Sequence, residues 1–271
     1  MMDFSGKTTV VTGGATGIGF ALAKELGRRG SKIILFEPRE TQLQEAKQLL
    51  ANDGIDSKYF VGDVTKREDV EALADFAWSE NGRADAIINN AGIGGPMQKV
   101  IDFDMAEARK LFDVNYWGMW NGIQVFGKRF LTDGKPSAIY SVASENSLFN
   151  VYPSGGGAYV SSKHAIFGLM DMLRKEMPDH IETGCIIPGW VATEMTRLKG
   201  MDADQYAKTI VPQMEAGEYY LVSHSYNAVR LDERYDEVKT AFAQYAPRYE
   251  GDDEYDVISA FAKARAAKQK T

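Results

Sequence analysis

The sequence predicts an α/β fold, a doubly wound parallel sheet with helices on both faces. Three observations predict it. Short apolar runs of strand length alternate with longer segments of helical periodicity. A glycine-rich turn joins the first apolar run to the first helix, and no Pro/Ser-rich linker or low-complexity tract divides the chain. Strands separated by helices connect through right-handed crossovers and so lie parallel. The expectation is one domain spanning residues 1–271.

Thr8–Val11 reads as a buried strand, and Ile18–Arg29 as a helix stopped by Gly30. The pair then repeats as strand Lys32–Phe36, helix Thr41–Leu50, strand Lys58–Val61, helix Arg67–Glu80 and strand Ala86–Asn89. A long helix, roughly Met105–Phe130, leads to strand Ala138–Val142, helix Ala158–Lys175 and strand Glu182–Ile187. Beyond Gly189 the pattern loosens into a covering segment at about 189–220, with a short helix at Met201–Met214 and a last strand at Tyr219–Val222. A helix at Asn227–Tyr245 precedes an acidic cluster, Glu250 to Asp256, and the basic residues Lys263, Arg265, Lys268 and Lys270. That charge run predicts a solvated, partly frayed tail.

The 271 residues carry 31 Lys+Arg against 38 Asp+Glu, a net charge of −7, which excludes a general binder of nucleic-acid phosphates. The lone cysteine, Cys185, excludes an internal disulfide and a Cys-rich metal site. The three histidines have no metal-like spacing, so no metal site is expected. The start, MMDFSGKTTVVTGG, does not read as a signal peptide, and no apolar run reaches membrane-spanning length. A cytoplasmic protein is expected.

The first turn, Thr12-Gly13-Gly14-Ala15-Thr16-Gly17-Ile18-Gly19, runs straight into a helix. Such a turn lets backbone approach a pyrophosphate, and the helix N-terminus adds free N–H groups and partial positive charge. Glu37, ending the second strand, suits the two hydroxyls of an adenosine ribose. It would repel a 2′-phosphate by roughly 4 kcal/mol per charge pair at 4 Å and an effective dielectric of 20. That favours NAD over NADP, although Arg39, two residues on, offers a phosphate a partner. Asp63, ending the third strand beside Val64, is placed to meet an adenine amino group, or to serve its own turn.

Tyr159 and Lys163 share a helix face at i, i+4. A buried cation favours phenolate, and bringing a tyrosine from near 10 to about 7 takes roughly 4 kcal/mol at 1.36 kcal/mol per unit. With these residues assembled, the sequence resembles the short-chain dehydrogenase/reductase family over about residues 5–195. Thr12–Gly19 matches its cofactor turn, Asn89-Asn90-Ala91-Gly92 its fourth-strand motif, and Asn115 its helix-kink asparagine. Ser144 matches the catalytic serine, Tyr159 and Lys163 the acid/base pair, and Pro188-Gly189-Trp190-Val191-Ala192-Thr193 the segment beside the nicotinamide.

The resemblance implies a Rossmann-type fold and a set of roles. Tyr159 exchanges the alcohol proton, Lys163 lowers its pKa and holds the nicotinamide ribose, and Ser144 bonds the substrate oxygen. Asn115 holds a water leading from Lys163 to solvent, while Val191 and Thr193 fix the carboxamide. Gly13, Thr16, Gly17, Ile18, Gly19, Asn90 and Gly92 complete the cofactor contacts with Glu37, Asp63 and Val64. The segment between Ser144 and Tyr159 is two residues longer than the family's usual spacing; Ser141 and Ser147 are competing serines, of which Ser144 is preferred. That insertion brings Phe149 and Tyr152, and the covering segment brings Trp190, as substrate contacts. Together they suit a hydrophobic, aromatic or alicyclic secondary alcohol or its ketone. The expectation is an NAD-dependent oxidoreductase working in the oxidative direction as a homodimer or homotetramer. An NADPH-dependent carbonyl reductase is the alternative, and a nucleotide-sensing binding protein without turnover is the reading from another class.

Overall fold

The computed structural model describes residues 2–268; Lys270 of the basic tail lies outside the described residues. The strands are β1 (Thr8–Thr12), β2 (Lys32–Glu37), β3 (Ser57–Val61), β4 (Ala86–Asn89), β5 (Ser137–Val142), β6 (Ile181–Ile187) and β7 (Tyr220–Val222). Among the described residues these seven form one sheet, in the order β3-β2-β1-β4-β5-β6-β7, with every pair parallel. Strands β1, β4 and β5 are buried along their whole length. Burial from both faces is why their apolar residues stand side by side, as in Val10-Val11 and Ile87-Ile88, and why they carry no charged residue.

Helices α1 (Gly17–Arg28), α2 (Glu40–Asn52), α3 (Arg67–Asn81), α4 (Met105–Phe112), α5 (Met119–Asp133), α6 (Gly157–Glu176) and α7 (Ala203–Glu215) flank the sheet. Leu22 and Leu26 of α1, Leu43 of α2 and Ile210 of α7 pack into one apolar layer. Leu73 of α3, Phe126 and Phe130 of α5, and Ile166 and Met170 of α6 pack into the other. The sheet is thus covered on both sides, as the alternation of elements predicts.

The long helix expected over Met105–Phe130 is not uniform. A π-helical segment, Asp113–Gly118, separates α4 from α5. Its cause is Asn115, which is fully buried and turns its amide to Ile93: the Ile93 N–H donates to Asn115 Oδ1 at 2.8 Å, and Asn115 Nδ2 donates to the Ile93 carbonyl at 3.1 Å. Widened turns of this kind recur at functional sites.

The chain divides into two compact units, one ending at Asn227 and the other beginning at Ala228, where the sequence predicts a single domain. The second unit holds nearly all of α8 (Asn227–Tyr245) and then α9 (Val257–Lys268). The expectation of a frayed tail is corrected here. Alanines at 260, 262, 264 and 266 favour helix, and Asp256 caps it by accepting from the Ser259 N–H at 2.8 Å.

Close packing between α5 and β4 sets the height of the fourth strand's end. A Cβ at Gly122 would sit 2.0 Å from Asn89 Oδ1. Gly122→Ala should therefore destabilise the protein by about 1–3 kcal/mol in urea unfolding, the range for overpacking a buried contact.

Candidate active site

A cleft of about 720 Å³ opens over the carboxyl ends of β1 and β4. Here the connections of neighbouring strands depart to opposite faces of the sheet, leaving a crevice. The volume falls in the usual range for small-molecule sites.

The floor is the first glycine turn. Gly13 and Gly17 hold positive φ values, +59° and +56°, which side-chain-bearing residues adopt at a cost. A Cβ at Gly13 would also lie 2.9 Å from Ala91 Cα. Gly19 does not line the cleft; it is buried, and a Cβ there would lie 2.4 Å from both Asn90 Nδ2 and the Gly13 carbonyl. Thr16 precedes α1 without capping it through its side chain, so the first-turn amides stand uncapped where Thr16, Gly17 and Ile18 border the cleft.

At one end, Glu37, Asp63, Val64 and Asn90 line the cleft as predicted, joined by Phe36 and Arg39, and Gly92 lines it beside Lys163, whose Nζ lies 3.8 Å from where a Gly92 Cβ would be. Asp63 also serves its own turn, accepting from the Thr65 N–H at 2.9 Å. Asn90 turns its amide inward, donating to the Thr12 and Gly13 carbonyls at 2.9 and 3.0 Å. Glu37 accepts from Arg39 Nε at 2.5 Å.

At the other end stand Ser144, Tyr159 and Lys163. Ser144 Oγ accepts from the Asn146 N–H at 3.1 Å, which leaves its own proton for the Tyr159 oxygen. Desolvation disfavours phenolate and pushes Tyr159 up to about 12, with the Ser144 hydrogen bond opposing the rise. Lys163 Nζ lies 5.7 Å from the Tyr159 ring centroid and donates to the Val142 carbonyl at 3.0 Å. Burial pushes Lys163 itself down to about 8. Asn115 stands behind the wall, donating to Ser162 Oγ at 3.2 Å.

The three substrate contacts expected from the sequence do not line the cleft. Phe149 turns inward and is buried, Trp190 is exposed, and Tyr152 packs near Gly156. Their places are taken by Ile93, Gly94 and Met195. Val191 and Thr193 line the cleft as predicted, and the residues after them, Glu194 to Thr196, also line it. Their position directly after the Pro-Gly-Trp-Val-Ala-Thr segment was the available signal. Ser141 and Ser147 are buried away from it, Ser147 donating to the Lys163 carbonyl at 2.7 Å. Cys185 is buried and held up at about 12, so its thiol is inert.

The residues present fit a dinucleotide. An uncapped helix N-terminus and a turn with no side chains at Gly13 and Gly17 suit a pyrophosphate, a carboxylate borders one end, and polar groups border the other. Among the described residues no cluster of three or more His, Cys, Asp or Glu forms a metal site, and no helix is long and apolar enough to cross a membrane.

Comparison with known proteins agrees with this geometry. Residues 7–204 match the short chain dehydrogenase family. The chain is 30% identical over 249 residues to 1-deoxy-11-beta-hydroxypentalenate dehydrogenase of Streptomyces avermitilis, covering 88% of this chain and 92% of that protein. It is 31% identical over 192 residues to (+)-borneol dehydrogenase 2 of Salvia officinalis, covering 70% and 66%. A solved structure from Novosphingobium aromaticivorans superposes with a TM-score of 0.84 at 26% identity, covering 100% of this chain and 98% of that one.

The buried amine gives a stability test. A base whose folded pKa is depressed destabilises the fold while both states are protonated, and the penalty fades as pH rises through the interval between the two values, here from about 8 to 10.5. Relative to Lys163→Met, the wild type should gain about 3 kcal/mol between pH 7 and pH 11, at 1.36 kcal/mol per unit, in urea unfolding. A difference that stays flat with pH would show the amine to be unshifted.

Proposed function

The chain belongs to the short-chain dehydrogenase family, whose members are oxidoreductases acting on CH–OH donors with NAD(P), and on that premise we propose that it interconverts a hydrophobic secondary alcohol and its ketone using NAD. The observation that carries this reading is the meeting of Ser144, Tyr159 and Lys163 at one end of a cleft whose floor is the glycine turn. When bound, the dinucleotide supplies the hydride acceptor or donor and, in its oxidised form, a positive charge beside the phenol.

The chain's own residues handle the proton. Tyr159 Oη takes the hydroxyl proton of the alcohol in oxidation and returns it to the ketone oxygen in reduction. Ser144 donates to the same oxygen, where negative charge develops. Lys163, seated against the Val142 carbonyl, supports the phenolate and presents its remaining protons to a ribose. Asn115, in the widened turn, supports the lysine's surroundings through Ser162. A phenol held at about 12 is well suited to donating a proton; as a base it depends on added positive charge nearby.

The preference for NAD rests on Glu37, buried at the end of β2 and facing the cleft. The NADPH reading would rest on Arg39, but that guanidinium is already paired with Glu37. A hydrophobic substrate is supported by Ile93 and Met195 along the cleft, and by relatives named as dehydrogenases of hydroxypentalenate and borneol. We extend this to aromatic and alicyclic alcohols, acted on by a cytoplasmic homo-oligomer.

Tyr159→Phe should lower turnover by at least about a hundredfold, the usual contribution of a positioned acid/base, while NADH affinity by nicotinamide fluorescence stays unchanged. The assay follows reduced-cofactor absorbance over a panel of aryl and alicyclic secondary alcohols. Full activity in that variant would overturn the proposed chemistry.

A further inference from the structure

The carboxylate at the end of β2 does not stand alone. Arg39 holds Glu37 through Nε at 2.5 Å and reaches toward Glu194 through Nη1 at 3.6 Å. All three line the cleft, Glu37 buried and the other two with their side chains about half exposed. Two carboxylates around one guanidinium leave a net negative charge on this part of the wall. Glu194 comes from the loop after β6, remote in sequence from both partners.

The side chains on either side of Glu194 lie close to two glycines of the cleft wall. Its predecessor, Thr193, brings a methyl to 3.2 Å from where a Gly17 Cβ would lie. Its successor, Met195, brings Cγ to 3.4 Å from the corresponding point at Gly94. Three successive residues therefore meet the start of α1, Arg39 and the loop after β4. The carboxylate between the outer two, itself exposed, comes within 3.6 Å of Arg39 Nη1.

We propose that Glu194 is a second determinant of dinucleotide choice, pairing with Arg39 alongside Glu37 and so denying a 2′-phosphate the cation that would receive it. This rests on the reading that the cleft takes NAD. A ribose carrying two hydroxyls brings no charge to this corner and is indifferent to Glu194. A 2′-phosphate brings close to two negative charges, meets both acids, and finds the guanidinium occupied. Removing Glu194 takes away one repulsion and frees the outer nitrogens of Arg39.

Glu194 is half exposed and Gln is isosteric, so Glu194→Gln tests the charge without disturbing the packing. Binding of NADH and NADPH is read by nicotinamide fluorescence for wild type, Glu194→Gln, Glu37→Gln, Arg39→Gln and the double variant Glu194→Gln/Arg39→Gln. Exposed pairs are individually modest, so Glu194→Gln is expected to tighten NADPH by about three- to fivefold and to leave NADH within about twofold. Relative to Arg39→Gln alone, the double variant should keep less than half of that gain, the part due to the direct repulsion. Unchanged NADPH affinity, equal changes for both dinucleotides, or a gain undiminished by loss of Arg39 would each overturn the assignment. Tighter NADPH than NADH binding in the wild type, with the Glu194→Gln gain intact, would sink the NAD reading and leave Glu194 supported.

Discussion

The cleft exists because β1 and β4 are tied together at the point where their connections part. Thr12 Oγ1 accepts from the N–H groups of Asn90 and Ala91 at 3.0 and 3.1 Å, and Asn90 Nδ2 donates to the carbonyls of Thr12 and Gly13. Past this junction the Gly13 N–H still donates to the Phe36 carbonyl of β2 at 2.8 Å, while side chains supply the bonds between the first turn and the end of β4. Buried backbone polar groups must be paired, so the hydroxyl and the amide here are structural requirements of the opening. The glycine turn can pass close over β4 only because Gly13 brings no Cβ toward Ala91.

At the other end the fold sets an electrostatic tension. Lys163 is buried against the Val142 carbonyl, and both it and Tyr159 are displaced toward their neutral forms by desolvation. The lysine's displacement lowers stability at neutral pH, the phenol's only above its ordinary range near 10, and proteins retain such groups where function needs a charge that responds to its neighbours. The Ser144 hydrogen bond works in the opposite sense on the phenol. Added positive charge nearby would favour the phenolate of Tyr159 and the neutral amine of Lys163 alike.

Much of this was legible in the chain because the relevant signals are local. The glycine turn announces itself by composition, Glu37 by its place at a strand end, and Tyr159 with Lys163 by helical spacing. Strand runs were legible because burial on both faces lets apolar residues stand side by side, as in Val10-Val11, Ile33-Ile34-Leu35-Phe36 and Ile87-Ile88, rather than alternate with charged ones. What escaped depends on tertiary direction. Phe149, Tyr152 and Trp190 lie in irregular segments, where no periodicity fixes which way a side chain points, and none of them lines the cleft. The widened turn at Asn115 keeps an unbroken helical pattern in sequence and was legible only through the family's helix-kink asparagine, because its partner is the Ile93 backbone, 22 residues away. The Arg39 contact to Glu194 joins residues that no local reading would pair. The tail's charges concealed a run of alanines that forms a helix.

The loop that carries Glu194 shows how a short segment can be held in a costly shape. Arg197 and Leu198 both sit in the left-handed region, at φ values of 54° and 60°, each at a cost of roughly 1–2 kcal/mol for an L-residue. The loop persists because its base is clamped: Val191 pairs with Met201, the Ala192 N–H donates to the Met201 carbonyl, and the Met201 N–H donates to the Trp190 carbonyl, both at 2.8 Å. Inside it, Thr196 Oγ1 donates to the Val191 carbonyl at 2.7 Å and accepts from the Thr193 N–H at 2.9 Å. With the two ends fixed about this hydroxyl, the left-handed pair turns the chain back toward its base. Thr193, Glu194 and Met195 are left facing three different elements of the cleft. The strain thus falls outside the residues that touch the cleft, where it shapes the wall without crowding what the wall encloses.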